Sequence, residues 1–146
     1  MKFNRILCAV DFSQPSVMAF DTAVELARLF KAELHVMHVI EAYPVLTDWL
    51  PAGGMDTAAT ALEEKATAAI EDLIATAKKA LNGTAITTEV SRGRAFVEIL
   101  DRARAREADL IVLGAKGLAL PEEAFTGSTA ERVMKEAVCS VLIVRG

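Results

Sequence analysis

Short apolar runs alternate along this chain with longer stretches in which apolar residues recur every three or four positions. Ile6 to Val10 is a continuous apolar run, the pattern of a strand covered on both faces. Asp11 to Pro15 breaks it, with Ser13 suited to cap a helix and Pro15 tolerated in a first turn. Val17, Phe20, Val24 and Ala27 then fall on one face of a helix ending near Phe30. Leu34 to Ile40 supplies a second strand, and Glu41 to Met55, with Pro44, Pro51 and Gly53-Gly54, reads as a long loop carrying Tyr43 and Trp49. Leu62, Ala66, Ala69, Leu73 and Ala77 trace one face of a helix from Thr57 to Leu81, ended by Asn82-Gly83. Ile86 to Val90 alternates as a strand. Ser91 to Arg94 turns into a helix marked by Phe96, Ile99, Leu100 and Ala103, and Leu110 to Leu113 is a fourth strand. A helix from Ser128 to about Ala137, using Val133 and Met134, leads to a final strand, Val141 to Val144.

Strands alternating with helices imply an α/β fold in which a five-stranded parallel sheet carries helices on both faces, because parallel neighbours require right-handed crossovers. The 146 residues show no internal repeat and read as a single domain, 1–146, and a hydrophobic content of 53% promises a substantial core. A net charge of −4 argues against a nucleic-acid surface, which demands a basic face. Cys8 and Cys139 lie beside apolar runs without zinc-ligand spacing and read as reduced core thiols. The apolar stretch after Lys2 and Arg5 is cut by Asp11, too short for a signal peptide, and no run approaches the roughly 18 residues of a membrane span. A cytoplasmic protein without membrane insertion is expected.

The chemistry concentrates after the fourth strand. Leu110 to Leu113 delivers the backbone to Gly114 and Gly117, and nine residues later Gly127-Ser128-Thr129 opens a helix. Glycines let backbone N–H groups approach an anion, and the free N–H groups and dipole of a helix start attract negative charge. Neither a Walker A loop nor a GxGxxG turn is present, and each half alone also reads as an ordinary glycine turn and an N-cap. In an open parallel sheet, ligands collect beyond the carboxyl ends of the strands. There Asp11 follows the first strand, Glu41 the second, Arg92 and Arg94 the third, and the glycine loop with Lys116 the fourth. This set suits a nucleotide, with phosphates at the loop and ribose or a metal ion at Asp11. Asp11 equally suits a turn cap, and the arginines suit solvent. His35 and His38, three apart, point to opposite faces of a strand and cannot share a metal; both read as structural or surface residues away from the glycine loop.

The sequence Gly114, Ala115-Lys116, Gly117, nine residues, Gly127-Ser128 resembles the Gly-x2-Gly-x9-Gly-Ser/Thr motif of ATP-binding universal stress proteins. ILCAVDFS, LHVMHVIE and CSVLIVR resemble the first, second and last strands of that family, so the resemblance spans the chain. It implies a Rossmann-like, open five-stranded fold and a site for ATP, ADP or AMP accompanied by Mg²⁺ or Mn²⁺. Asp11 would lie at the ribose and adenine end, Val39 would offer backbone groups to adenine, and Gly114, Gly117, Gly127, Ser128 and Thr129 would hold phosphates, with Lys116 keeping the positive charge often found at its position. Val141 to Val144 would pair two subunits into a homodimer, with a tetramer as a further step, and an apolar edge strand is itself a reason to expect pairing. Pro121-Glu122-Glu123 departs from the family by making the loop acidic.

Three functional readings follow. The first is a small ATP-binding stress-response module whose nucleotide occupancy alters its dimer surface toward an unknown protein partner. The second is an enzyme: no nucleophile with an adjacent base is apparent, an adenylate-transferring enzyme would need a His-x-Gly-His or Ser-Gly-Gly loop that is absent after Val10, and what remains is slow ATP hydrolysis or autophosphorylation on Ser128 or Thr129. The third is a dimeric interaction module that binds no nucleotide, a reading the intact glycine register argues against and the acidic loop keeps open.

Overall fold

The structure is a computed structural model that describes residues 2–41, 54–115 and 127–146, the stretch 54–58 by its backbone alone. In chain order it runs β1 (Arg5–Ala9), α1 (Gln14–Phe30), β2 (Glu33–Ile40), α2 (Gly54–Thr76), β3 (Ile86–Arg92), α3 (Ala95–Ala105), β4 (Leu110–Gly114), α4 (Ser128–Glu136) and β5 (Ser140–Val144). The strands form one parallel sheet in the order β3-β2-β1-β4-β5. The α/β class, the five parallel strands and the helices on both faces are as the alternating pattern requires.

Period-two alternation divides the central strands between two cores. Ile6, Cys8, Leu34, Val36, Leu110 and Val112 meet Phe20, Ala23, Val24 and Ala27 of α1 and Ile70 of α2. Leu7, Met37, Ile111 and Leu113 meet Ile99 and Leu100 of α3 and Ala130 and Val133 of α4 on the opposite face. Both faces of β1 and β4 are covered, which is why their sequences are continuously apolar rather than alternating. Phe20, with no exposed surface, contributes about 1.5–3 kcal/mol of transfer free energy to the first core.

Helix α1 begins as its sequence specifies. Ser13 is the N-cap and accepts from the Ser16 N–H, Pro15 sits in the first turn, and Lys31 closes the other end in the left-handed conformation, its N–H reaching Ala27 and Arg28 carbonyls. Helix α2 differs from expectation: it starts at Gly54 and ends at Thr76, and residues 77–81 continue as looser turns, with Lys78 N–H 3.4 Å from the Ala75 carbonyl. Its buried anchors are Ala66 and Ile70, whereas Leu62 is 51% exposed. Met134 is likewise exposed, leaving Val133 and Ala130 as the buried residues of α4, and Cys139 is half-buried rather than a core thiol. A single helical face spans about a third of the circumference, so adjacent positions 133 and 134 cannot both be covered by one sheet.

Candidate functional site

The strand order reverses between β1 and β4, and the ends of these strands open into a cavity of about 720 Å³. Ala9 to Phe12 lie along its base, His38 to Glu41 come from the end of β2, and Leu62, Lys65, Ala66 and Ala69 of α2 form one wall. Leu113, Gly114 and Gly127 to Ala130 form the wall opposite. Of the residues singled out in the sequence, Asp11, Val39, Gly114, Gly127, Ser128 and Thr129 are brought together here. Lys116 and Gly117 lie outside the described residues, as do Tyr43, Trp49 and Pro121-Glu122-Glu123.

Two hydrogen bonds set the glycine side. The Ala115 N–H donates to Val144 (2.8 Å), and the Ala115 carbonyl accepts from the Gly127 N–H (2.5 Å), so the two ends of the segment 116–126 meet beside the sheet edge. Gly127 is the N-cap of α4 in an extended conformation (φ −73°, ψ 159°) and has no side chain to cap with, so among the described residues no side-chain cap serves the first N–H groups of α4, the donors that a helix start leaves outside its own ladder. Gly114 has a packing reason of its own: a Cβ there would stand 2.7 Å from Pro15 C and Ser16 N, in the backbone of the first turn of α1.

Asp11 performs the turn role weighed for it in the sequence. Its Oδ1 accepts from the Ser13 N–H (2.9 Å) and from the Ser13 hydroxyl, while the Asp11 N–H donates to Ser16 Oγ (3.2 Å). Phe12, between them, holds the left-handed conformation at φ 65°. A non-glycine residue there costs about 1–2 kcal/mol, which the Asx-type bonds on either side offset. Its ring lies 4.8 Å from that of His38. Glu41 is also committed: its Oε1 accepts from the Ala95 N–H (3.1 Å) and caps α3, whose N-cap residue Arg94 offers no side-chain bond.

The two histidines part company as their spacing demands, but one of them enters the site. His35 is buried on the α3 side. Glu89 Oε2 accepts from His35 Nε2 (3.0 Å), and the Thr87 hydroxyl donates to Nδ1 (2.7 Å) while accepting from Arg106 Nη2 (2.9 Å). Burial holds the imidazole below its ordinary pKa, opposed by the Glu89 hydrogen bond and helped by the charges of Arg106 and Arg102. Arg102 also bridges to Glu89. His38, read in the sequence as remote from the glycine loop, instead lines the same cavity, with Nδ1 donating to the Val10 carbonyl (2.7 Å). Neither Arg92 nor Arg94 lines the cavity: Arg92 Nε donates to Glu63 Oε1 (2.7 Å), and Arg94 lies 5.8 Å from the Phe96 ring centroid.

The α2 wall is what sequence reasoning missed. Leu62, Lys65, Ala66 and Ala69 share a helical face, which the spacing reveals, but nothing local indicates that the first half of that face overhangs the strand ends instead of the sheet. Among the described residues, no group of three His, Cys, Asp or Glu side chains is placed to hold a metal ion, and no helix is long and apolar enough to cross a membrane.

Comparison with known proteins gives one consistent family. A family model for the universal stress protein family matches residues 2–145. The chain is similar to universal stress protein YxiE of Bacillus subtilis, with 32% identity over 98% of this chain and 99% of the relative. Among solved structures it is similar to universal stress protein UspA from Lactobacillus plantarum, with a TM-score of 0.81, 30% identity and 99% of each chain covered. The universal stress protein from Archaeoglobus fulgidus in complex with dAMP shares the fold at a TM-score of 0.66 and 22% identity, over 99% of each chain.

Proposed function

This chain belongs to the universal stress protein family, and from that membership we propose that its cavity binds an adenine nucleotide, ATP above ADP or AMP, and that occupancy regulates what the protein associates with. The observation that carries the reading is the convergence on one cavity of Gly114 and the uncapped start of α4 on one side with Asp11 and Val39 on the other. Adjacent strands lie about 4.8 Å apart, so Gly114 in β4 and Val39 in β2 are separated across β1 by about 10 Å, with Asp11 beyond the end of β1 between them, room for a nucleotide to run from phosphates to base. A related protein of this fold is in complex with dAMP. Phosphates belong at Gly114, Gly127, Ser128 and Thr129 together with Lys116 and Gly117; ribose belongs at Asp11 and the base at the Val39 backbone.

The described carboxylates do not make a metal site of their own, since Asp11 Oδ1 serves the α1 turn and Glu41 caps α3. Any Mg²⁺ or Mn²⁺ would arrive on the phosphate oxygens, with Asp11 at most one further ligand. Association is proposed to run through β5, the sheet edge beside β4, whose Val141, Leu142, Ile143 and Val144 are only half-buried. Unpaired backbone on such an edge favours antiparallel pairing with a second copy.

The test is native mass spectrometry of the purified protein with calorimetric titration by ATP, ADP and AMP in Mg²⁺, on wild type and Gly127→Val. The extended backbone at Gly127 is open to any L-residue, and a valine side chain there obstructs the phosphate path; the circular dichroism spectrum checks that this buried position tolerates it. ATP binding by wild type and its loss in a variant with an unchanged circular dichroism spectrum is the expected result. A wild type that binds none of the three refutes the reading and turns attention to the dimeric interaction module.

A further inference from the structure

His38 is the polar ring of the cavity that neither the turn into α1 nor the cap of α3 employs. Its Nδ1–H is tied to the Val10 carbonyl at 2.7 Å, and the Phe12 ring lies against it at 4.8 Å. The first contact fixes the tautomer: with Nδ1 carrying the proton, the unprotonated ring holds its lone pair on Nε2. The second fixes the ring plane. An imidazole oriented through one nitrogen to a backbone carbonyl is set to act through the other. Nε2 has no hydrogen-bond partner among the described residues, and His38 lines the cavity together with its neighbour Val39 and with Leu62 and Ala66 of α2.

We propose that His38 determines ligand specificity in this cavity by presenting Nε2 as a hydrogen-bond acceptor to an N–H or O–H donor on the base-and-sugar half of a nucleotide. The inference rests on the nucleotide reading above and adds to it a requirement on the ligand. The lining on this side is otherwise apolar apart from Lys65, a donor, and the committed Glu41. A ligand placing a further acceptor against Nε2 meets lone-pair repulsion, whereas one placing an exocyclic amine or a ribose hydroxyl there gains a bond. His38 is therefore a binding residue, and no proton transfer is required of it.

Two variants separate recognition from scaffolding. His38→Phe keeps the ring against Phe12 and removes both nitrogens. His38→Asn places its amide N–H where Nδ1–H was, preserving the bond to Val10, but reaches no further into the cavity. Titration with ATP is expected to give about five- to tenfold weaker binding for both variants, the effect of one neutral hydrogen bond. If His38→Asn binds ATP as wild type does while His38→Phe is weakened, the histidine serves only to hold Val10 and the proposal is overturned. Long-range ¹H–¹⁵N spectra of wild type supply a direct readout: the Nε2 resonance should shift on ATP addition, and an unmoved Nε2 resonance at saturation overturns the proposal as well. Titration with 2′-deoxy-ATP and with purine riboside triphosphate, which lacks the 6-amino group, identifies the donor, because the partner is the group whose removal costs wild type the same factor that His38→Asn costs with ATP. A wild type that binds no nucleotide refutes the parent reading and this inference with it; a wild type that binds ATP with both variants unaffected refutes this inference alone.

Discussion

Gly114→Ala tests whether the first glycine of the spaced motif is required by packing independently of any ligand. The added Cβ would stand 2.7 Å from Pro15 C, 2.7 Å from Ser16 N and 3.0 Å from Pro15 O. Carbon contacts are most favourable at about 3.5–4.0 Å, so the overlap approaches 1 Å. Its partners are backbone atoms in the first turn of α1, which cannot rotate aside as a side chain would. Relief requires the start of α1 to move off the end of β4, and behind that turn lie Ala19 and Phe20 with no exposed surface. Overpacking of this kind costs about 1–3 kcal/mol. For a chain of this length each kcal/mol lowers the melting temperature by about 2–4 °C, so a fall of about 2–12 °C is expected. The assay is thermal unfolding followed by circular dichroism, without nucleotide, against wild type. An alanine variant that melts within about 1 °C of wild type would refute the packing argument. Retained ligand-free stability with lost ATP binding would mean that the glycine serves ligand approach alone.

Further predictions follow from the network around α1 and β2. Ser13→Ala removes the N-cap of α1 and the hydroxyl that holds Asp11, and should lose about 1 kcal/mol in urea unfolding, whereas a change below about 0.3 kcal/mol would contradict the capping role. His35 is held below its ordinary pKa by burial, so between the unfolded value near 6.5 and the lower folded value the unfolded chain binds the extra proton. Its contribution to stability is complete above the unfolded value and is lost as pH falls toward the folded one; urea midpoints at about pH 7.5 and 5.5 should differ less in His35→Gln than in wild type, and an equal difference would exclude His35 as the source. Burial pushes the Cys8 thiol up to about 12, and the Cys139 thiol is raised to a smaller extent by partial burial and by Asp109. A thiol reagent near pH 8 should therefore modify Cys8 only after denaturation, and rapid modification of Cys8 in the native protein would contradict its burial. Ile143→Lys places a charge on the β5 edge and, on the proposed pairing through β5, should convert the wild-type dimer to monomer in light scattering; a monomeric wild type refutes the pairing, and an unchanged dimer mass in the variant would move the interface elsewhere.

Much of this architecture was legible in the chain because local patterns and global packing agree. Ser13 and Pro15 marked the start of α1, and the uninterrupted apolar runs at 6–10 and 110–113 marked strands covered on both sides. The glycine spacing and the acidic end of β1 located the cavity, since in a parallel sheet every strand end lies at the same edge. Helix α2 was misjudged in its limits, and Leu62 in its role, because an alanine-rich segment presents apolar surface nearly all round and the core-facing stripe is not distinguished by hydrophobicity.

Sequence by itself determined the fold class, the family and the side of the sheet on which the chemistry gathers, because periodicity and glycine placement are encoded within a few residues of one another. Tertiary structure alone decided which candidates are free to act. Arg92 is bound to Glu63, Glu41 to the start of α3, and Asp11 Oδ1 to Ser13, while His38 lines the cavity with, among the described residues, a partner for Nδ1 alone. Partners 29 or 54 residues away along the chain leave no local trace in the sequence. Whether a polar side chain recognises a ligand or satisfies its own fold depends on hydrogen bonds that form only once those distant segments are packed together.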